Sequence, residues 1–152
     1  MELDKIDKHI LNILQVDSKI TNVALAEKIN LSPASTLERV RKLEQHKIIT
    51  HYYAQIDPLQ VGFSVEIILG VKLQKMTAES IKLFKTTIDA IHSITTCYQV
   101  IGDFDFILMT HSRNIMLFQQ TVVEKLYDLP VVTTIKSLYV AQLLKHKPIF
   151  LA

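Results

Sequence analysis

The chain has 152 residues, of which 49% are hydrophobic and 21% are charged, and its formal net charge at pH 7 is +2. This composition indicates a soluble globular protein with one domain or two small ones, and the single cysteine, Cys97, excludes an intrachain disulfide. The longest uninterrupted apolar run, Ile67 to Val71, is far shorter than the roughly 20 residues of a membrane span, and no export signal is apparent. We therefore expect a cytoplasmic protein with no membrane contact.

Three short helices are predicted in the first 46 residues. Each follows a residue whose side chain can cap a helix, namely Asp4, Thr21 and Ser32. The first helix should end at Asp17 to Lys19, and the second at Asn30, because asparagine tolerates the left-handed conformation in which many helices end. The third has Pro33 at its first position, where no amide hydrogen is needed, and is predicted to run to His46.

The short turn between the second and third helices is typical of a helix-turn-helix, in which the last helix lies in the major groove of double-stranded DNA. On a helical wheel one stripe of the third helix consists of Ser35, Arg39, Lys42 and His46. These residue types can bond to guanine or to phosphate, although a charged helix face is more often only solvated. Arg41 lies towards the apolar side, and we expect it to pair with a carboxylate of the first helix such as Asp7.

Beyond Ile48 the hydrophobic period changes. The segment "IITHYYAQIDP" is rich in β-branched and aromatic residues, which predicts a strand or small wing. Residues 58–63 contain a proline and one of only three glycines, so they are the best candidate for a hinge. The predicted domains are therefore residues 1–62 and 63–152.

The second domain has the element order β-α-β-β-α-β. The predicted strands cover residues 64–74, 94–101, 104–112 and 131–144, and helices are predicted from a cap at Thr77 to Ile91 and from a cap at Asn114 to Leu129. This order is the ferredoxin-like pattern, an α+β fold with an antiparallel sheet and both helices on one face. The other sheet face is apolar, so we expect the chain to dimerise through it.

Four segments together carry a resemblance to a known family. They are "LDKIDKHILNILQ" (3–15), "SPASTLERVRKLE" (32–44), "ITHYYAQIDPLQVGF" (49–63) and "VIGDFDFILMT" (100–110). In this order the chain resembles the leucine-responsive regulatory protein and AsnC (feast/famine) family of transcription regulators. The resemblance implies a winged helix-turn-helix joined to a ferredoxin-like sensing domain, homodimers that assemble into tetramers or octamers, and amino acids or related small molecules as effectors.

The candidate DNA-binding residues lie on the third helix and its cap, and they are Ser32, Ser35, Thr36, Arg39, Lys42 and His46. The resemblance implies the effector-binding set, which is Gly102, Asp103, Asp105, Thr134 and Ser137. An amino acid needs a carboxylate for its ammonium group and amides or hydroxyls for its carboxylate. Without the resemblance, Gly102-Asp103 would more simply be a hairpin turn.

Two positions depart from the family pattern. His46-Lys47 stands where the family usually has a glycine, so we expect a less abrupt end to the third helix and an extended basic end. Lys136 stands where a small hydroxyl residue is common, which leaves the identity of the effector open.

The sequence argues against an enzyme and against a metal site. None of the six histidines is paired with another at i, i+4, and no second cysteine, glycine-rich phosphate loop or Gly-x-Ser-x-Gly motif is present. We expect no cofactor other than the amino-acid effector. The alternative interpretation is an amino-acid-sensing protein whose N-terminal helices contact a protein partner instead of DNA.

Overall fold

The computed structural model describes residues 1–152, and their contacts divide the chain into two compact units. We call Met1–Gln55 together with Leu144–Ala152 the helical unit, and Ile56–Leu143 the sheet unit. No helix in either unit is both long and apolar enough to cross a membrane.

The helical unit contains α1 (Lys5–Leu14), α2 (Asn22–Ile29) and α3 (Pro33–Gln45). All three predicted N-caps are confirmed, since the side chains of Asp4, Thr21 and Ser32 each accept a hydrogen bond from the amide three residues on. The core between the helices consists of Ile10, Leu11, Leu25, Ile29 and Leu43.

Both turns that leave α2 and α3 use left-handed backbone. Asn30 has φ 55°, as its residue type predicts, and Lys47 has φ 58°. The expectation of a less abrupt end to α3 is therefore wrong, because Lys47 adopts the conformation that a glycine would supply.

The strand or wing predicted between Ile49 and Asp57 is not formed in this chain. These residues have no regular secondary structure, and they lead into a short 3₁₀ turn at Leu59–Val61 that ends at Gly62 with φ 85°. A strand needs hydrogen-bond partners as well as suitable residue types, and no second strand pairs with this segment.

The sheet unit has the predicted element order. Its elements are β1 (Val65–Leu73), α4 (Ala78–Asp89), β2 (Ile94–Gln99), β3 (Phe106–Ser112), α5 (Ile115–Phe118), α6 (Glu124–Tyr127) and β4 (Val132–Tyr139). The strands form one antiparallel sheet in the order β2-β3-β1-β4. A π-helical turn at Gln119–Val123 joins α5 to α6, and β4 ends five residues before the predicted Leu144; the sequence indicated neither feature.

The two faces of the sheet differ. One face packs against α4 and the α5–α6 helix, and its core includes Ile67, Leu69, Leu108, Phe84 and Phe118. We call the other the open face. Cross-strand pairing assigns to it Ile68, Met109 and Leu138 in one row and Gly70, Ile107 and Lys136 in the next. No helix covers these side chains within one chain.

Candidate nucleic-acid interface and ligand site

The predicted stripe on α3 lines one shallow depression of the helical unit. The depression is lined by Met1, Asp7, Ser35, Glu38, Arg39, Lys42 and His46. Within the stripe, Ser35, Lys42 and His46 are exposed, whereas the Arg39 side chain is only 31% exposed. All four predicted members of the stripe therefore lie side by side, and they differ in how freely they can bind an external group.

Arg39 already has two partners within the chain. Its Nη1 donates to Asp4 Oδ2 and to Asp7 Oδ1, both at 2.7 Å, and the Asp7 side chain is only 5% exposed. The two carboxylates raise the pKa of Arg39. The pKa of Asp4 is lowered by the hydrogen bond from the Asp7 amide and then by Arg39.

This ion pair corrects one expectation. The carboxylate of Asp7 pairs with Arg39, so the pairing that we expected for Arg41 is wrong. Arg41 is instead exposed and makes no ion pair in the chain. Arg39 thus fixes α3 against the start of α1. Arg41, which the helical wheel placed towards the apolar side of α3, has an exposed and unpaired side chain instead.

Lys42 and His46 are held only loosely. Lys42 Nζ lies 2.8 Å from Glu38 Oε1 one turn earlier, and both side chains are more than half exposed. An exposed pair of this kind is weak, so a phosphate can replace the carboxylate at little cost. His46 Nδ1 lies 2.8 Å from the carbonyl oxygen of Lys42.

Thr36 does not belong to any surface of α3. The side chain is fully buried, and its hydroxyl donates to the carbonyl oxygen of Ser32 at 3.0 Å. Its inclusion among DNA-contacting residues is therefore corrected, because no atom of Thr36 is available to a ligand.

Tyr52 was not singled out from the sequence. Its hydroxyl donates to Glu44 Oε1 at 2.9 Å and so holds the segment after α3 against that helix. Burial, and then the neighbouring Glu44, raise the pKa of Tyr52 to about 12. Two side chains eight residues apart meet here only because the chain folds back, which no local pattern indicates.

The candidate ligand loop lies between β2 and β3. Asp105 anchors it, because its Oδ2 accepts from the Leu73 amide at 2.8 Å while its own amide donates to the carbonyl oxygen of Val71 at 3.0 Å. Asp103 is exposed at the tip, and Gly102 has φ 155°. Of the two aspartates, Asp103 has the free carboxylate and Asp105 determines the shape of the loop.

Phe104 extends from this loop across the open face. A Cβ added to Gly70 would lie 2.7 Å from the ring of Phe104, so the ring occupies the space that a side chain at position 70 would fill. The absence of a side chain at Gly70 therefore lets Phe104 lie directly on the backbone of the central strand β1.

The structure separates the two residues predicted on the last strand. Thr134 pairs with Lys72 and lies on the open face, near the end of β1 that Asp105 anchors. Ser137 pairs with Leu69, a core residue, and so belongs to the opposite face. The predicted ligand set is therefore gathered only in part: the loop and Thr134 share one end of the sheet, and Ser137 does not join them.

Two family descriptions match the chain. Residues 3–44 match the AsnC-type helix-turn-helix domain, and residues 66–150 match the Lrp/AsnC ligand binding domain. Leucine-responsive regulatory protein from Escherichia coli strain K12 is 33% identical over 145 residues, which are 95% of this chain and 88% of that protein.

Solved structures of similar proteins have the same fold. A transcriptional regulator from Neisseria meningitidis, solved as a complex with L-methionine, aligns with a TM-score of 0.90 at 27% identity over 95% of this chain and 94% of that one. LrpC from Bacillus subtilis aligns with a TM-score of 0.85 at 27% identity, over 97% of this chain and 100% of that one.

Proposed function

Because the chain belongs to the Lrp/AsnC family of transcription regulators, we propose that α3 reads the major groove of double-stranded DNA and that an amino acid bound by the sheet unit modulates this binding or the assembly of the protein. The observation that carries the proposal is the exposed row of Ser35, Lys42 and His46 on a capped helix that follows a tight turn. Acting on DNA, the protein would work in the cytoplasm.

The residues proposed to contact DNA differ in how exposed their side chains are and in whether they already have partners within the chain. Ser35, Lys42 and His46 are exposed and reach bases or phosphates directly. Ser32 is also exposed, but its hydroxyl oxygen caps α3 by accepting from the Ser35 amide. Arg39 supports these residues by holding α3 to α1, because its guanidinium is already paired with Asp4 and Asp7.

The test of DNA binding uses Lys42→Ala and, as the matched control, Lys85→Ala on the exposed surface of α4. The probe is a duplex selected from random sequences by the unmodified chain. If Lys42 contacts a phosphate, Lys42→Ala weakens binding and lowers the slope of log affinity against log salt by about 1, because one fewer counterion is released. Fluorescence anisotropy over a salt series measures both quantities.

The outcomes of that experiment separate DNA from a protein partner. A salt slope that is the same for the unmodified chain, Lys42→Ala and Lys85→Ala would contradict the assignment of Lys42. Failure to select any duplex would favour the alternative in which the N-terminal helices contact a protein.

For the ligand we propose a free amino acid whose ammonium group pairs with Asp103 at the exposed loop tip. Its carboxylate would bond to backbone amides or to the hydroxyl of Thr134 at the same end of the sheet. The Neisseria protein mentioned above was solved with an amino acid, which supports this class of ligand for the present chain.

Asp103→Ala should abolish the response to the amino acid while DNA binding without ligand stays unchanged. The twenty amino acids are screened by thermal shift with the unmodified chain, since a ligand that binds only the folded state raises the melting temperature. Each positive ligand is then titrated by calorimetry into Asp103→Ala and into the control Asp128→Ala, whose carboxylate lies at the exposed end of α6. Normal uptake by Asp103→Ala would contradict the assignment.

We also propose that the chain is a homodimer, joined through the open face, that assembles further into a tetramer or octamer. The open face has aliphatic side chains in its centre and no covering helix within one chain, which is the pattern of a surface buried by a second copy.

A further inference from the structure

The last residues of the chain fold back onto the helical unit. The segment Leu144–Ala152 has no regular secondary structure, yet its contacts assign it to the same compact unit as α1, α2 and α3. The contacts that hold it come from Asn12 in α1, from Gln15 directly after the last residue of α1, and from the apolar side chain of Leu151.

Asn12 binds the backbone of Leu151 at two points. Its Nδ2 donates to the carbonyl oxygen of Leu151 at 2.9 Å, and its Oδ1 accepts from the Leu151 amide at 3.0 Å. A side-chain amide that satisfies both backbone groups of one residue imitates the pairing of a neighbouring strand. One turn of α1 later, Gln15 Nε2 donates to the carbonyl oxygen of Ile149 at 2.9 Å.

The side chains of the segment divide between the core and solvent. Leu151 is partly buried and packs against the apolar cluster of the helical unit. Ile149 and Phe150 are 76% and 81% exposed. The segment is thus held by hydrogen bonds to its backbone and by the packing of the Leu151 side chain. The larger Phe150 side chain is exposed and contributes little to the attachment.

We propose that the end of α1, with Asn12 in the helix and Gln15 at its C-cap, is a docking site for an extended peptide, and that its occupant is residues 149–151 of the same chain. The chain already passes from the helical unit to the sheet unit after Gln55 and returns after Leu143. Docking of the last residues therefore makes this return a second connection of the chain between the helical unit and the sheet unit, in addition to the crossing after Gln55.

Hydrogen exchange in the full-length chain, without DNA and without amino acids, tests the docking. The Leu151 amide donates to Asn12 and should exchange at least about tenfold more slowly than the same amide in an unstructured chain. Asn12→Ala removes both bonds and should abolish this protection, while α1 stays helical because alanine has the higher helix propensity. Phe150→Ala is the matched control, and it should leave the protection in place.

Two results would overturn the docking. One is a Leu151 amide that exchanges at the unstructured rate in the unmodified chain. The other is protection that survives Asn12→Ala.

A mixing experiment tests whether the occupant belongs to the same chain. Asn12→Ala, with an intact C-terminal segment, is refolded together with Leu151→Pro, which has an intact α1 but lacks the Leu151 amide hydrogen and side chain. If the segment docks only within its own chain, the Leu151 amide of the Asn12→Ala chain still exchanges rapidly in the mixture, because its own α1 lacks Asn12. Recovery of its protection would mean that one copy docks on another and would overturn the assignment. Neither experiment involves DNA or an effector. The docking inference can therefore fail while the proposed function is correct, and the proposed function can fail while the docking inference is correct.

Discussion

At the scale of single residues, Arg39 connects two helices through two carboxylates that are unequally exposed. Its side chain is 31% exposed, whereas the side chains of Asp4 and Asp7 are 50% and 5% exposed. A buried carboxylate that loses its cationic partner retains its desolvation cost without compensation. The contribution of Arg39 to stability therefore depends mainly on Asp7.

Arg39→Ala should lower the free energy of unfolding by about 2 kcal/mol, which is below the usual range for a broken buried ion pair because Arg39 is partly exposed. Urea unfolding followed by circular dichroism measures the change. Arg41→Ala is the control, since Arg41 is exposed and makes no ion pair, and it should alter the stability by no more than about 0.5 kcal/mol. Equal effects of the two substitutions would show that the ion pair does not stabilise the helical unit.

The residue scale also shows where prediction from the sequence ends. The sequence predicted an ion pair between Arg41 and a carboxylate of α1 such as Asp7, because Arg41 lies towards the apolar side of the helical wheel, but Arg39 forms this pair. A helical wheel gives the direction of each Cβ, while the long arginine side chain reaches whichever carboxylate the packing of α1 brings within range. Thr36 was misplaced for a different reason, since a small polar residue gives no sign of its own burial in the sequence.

At the scale of elements, the helix starts were predictable and the loops were not. Each N-cap is a hydrogen bond within three residues, so the bonds of Asp4, Thr21 and Ser32 follow from local sequence. The segment after Ile48 has the composition of a strand but no strand to pair with, and pairing is a property of the whole fold. The π-helical turn at Gln119–Val123 likewise has no local sequence signal.

The end of α3 carries strain that a single substitution should relieve. Lys47 has φ 58°, and left-handed backbone costs a residue with a Cβ about 1–2 kcal/mol relative to glycine. Lys47→Gly should therefore raise the free energy of unfolding by about 0.5–1 kcal/mol, after allowance for the larger entropy that glycine gives the unfolded chain. Thermal unfolding by calorimetry measures the gain.

The control for Lys47→Gly introduces a glycine at a position where the backbone is right-handed. Arg41→Gly in the middle of α3 should cost about 1 kcal/mol, because glycine there loses more entropy without relieving strain. If Lys47→Gly destabilised the protein as Arg41→Gly does, the left-handed end of α3 would be refuted.

At the scale of the whole molecule, the sheet unit supplies both the proposed ligand loop and the proposed dimer surface. Phe104 lies on Gly70 in the centre of the open face and follows directly after Asp103 in the loop. A ligand at Asp103 would therefore be bound next to the proposed dimer surface. If that ligand binds the dimer and the monomer with different affinities, linkage requires it to shift the assembly equilibrium towards the form that it binds more tightly.

If the proposed dimer forms through the open face, Met109→Asp should convert it into monomers without unfolding the sheet unit. Met109 pairs with Ile68 in the middle of the open face, so an aspartate there would be desolvated among aliphatic side chains in a dimer but remain solvated in a monomer. Multi-angle light scattering after size exclusion measures the mass, and circular dichroism checks the fold. Thr86→Asp adds the same charge on the exposed surface of α4 and should leave the dimer intact. A folded Met109→Asp chain that remained dimeric at micromolar concentration would show that the copies join elsewhere, and the open face would then need another occupant.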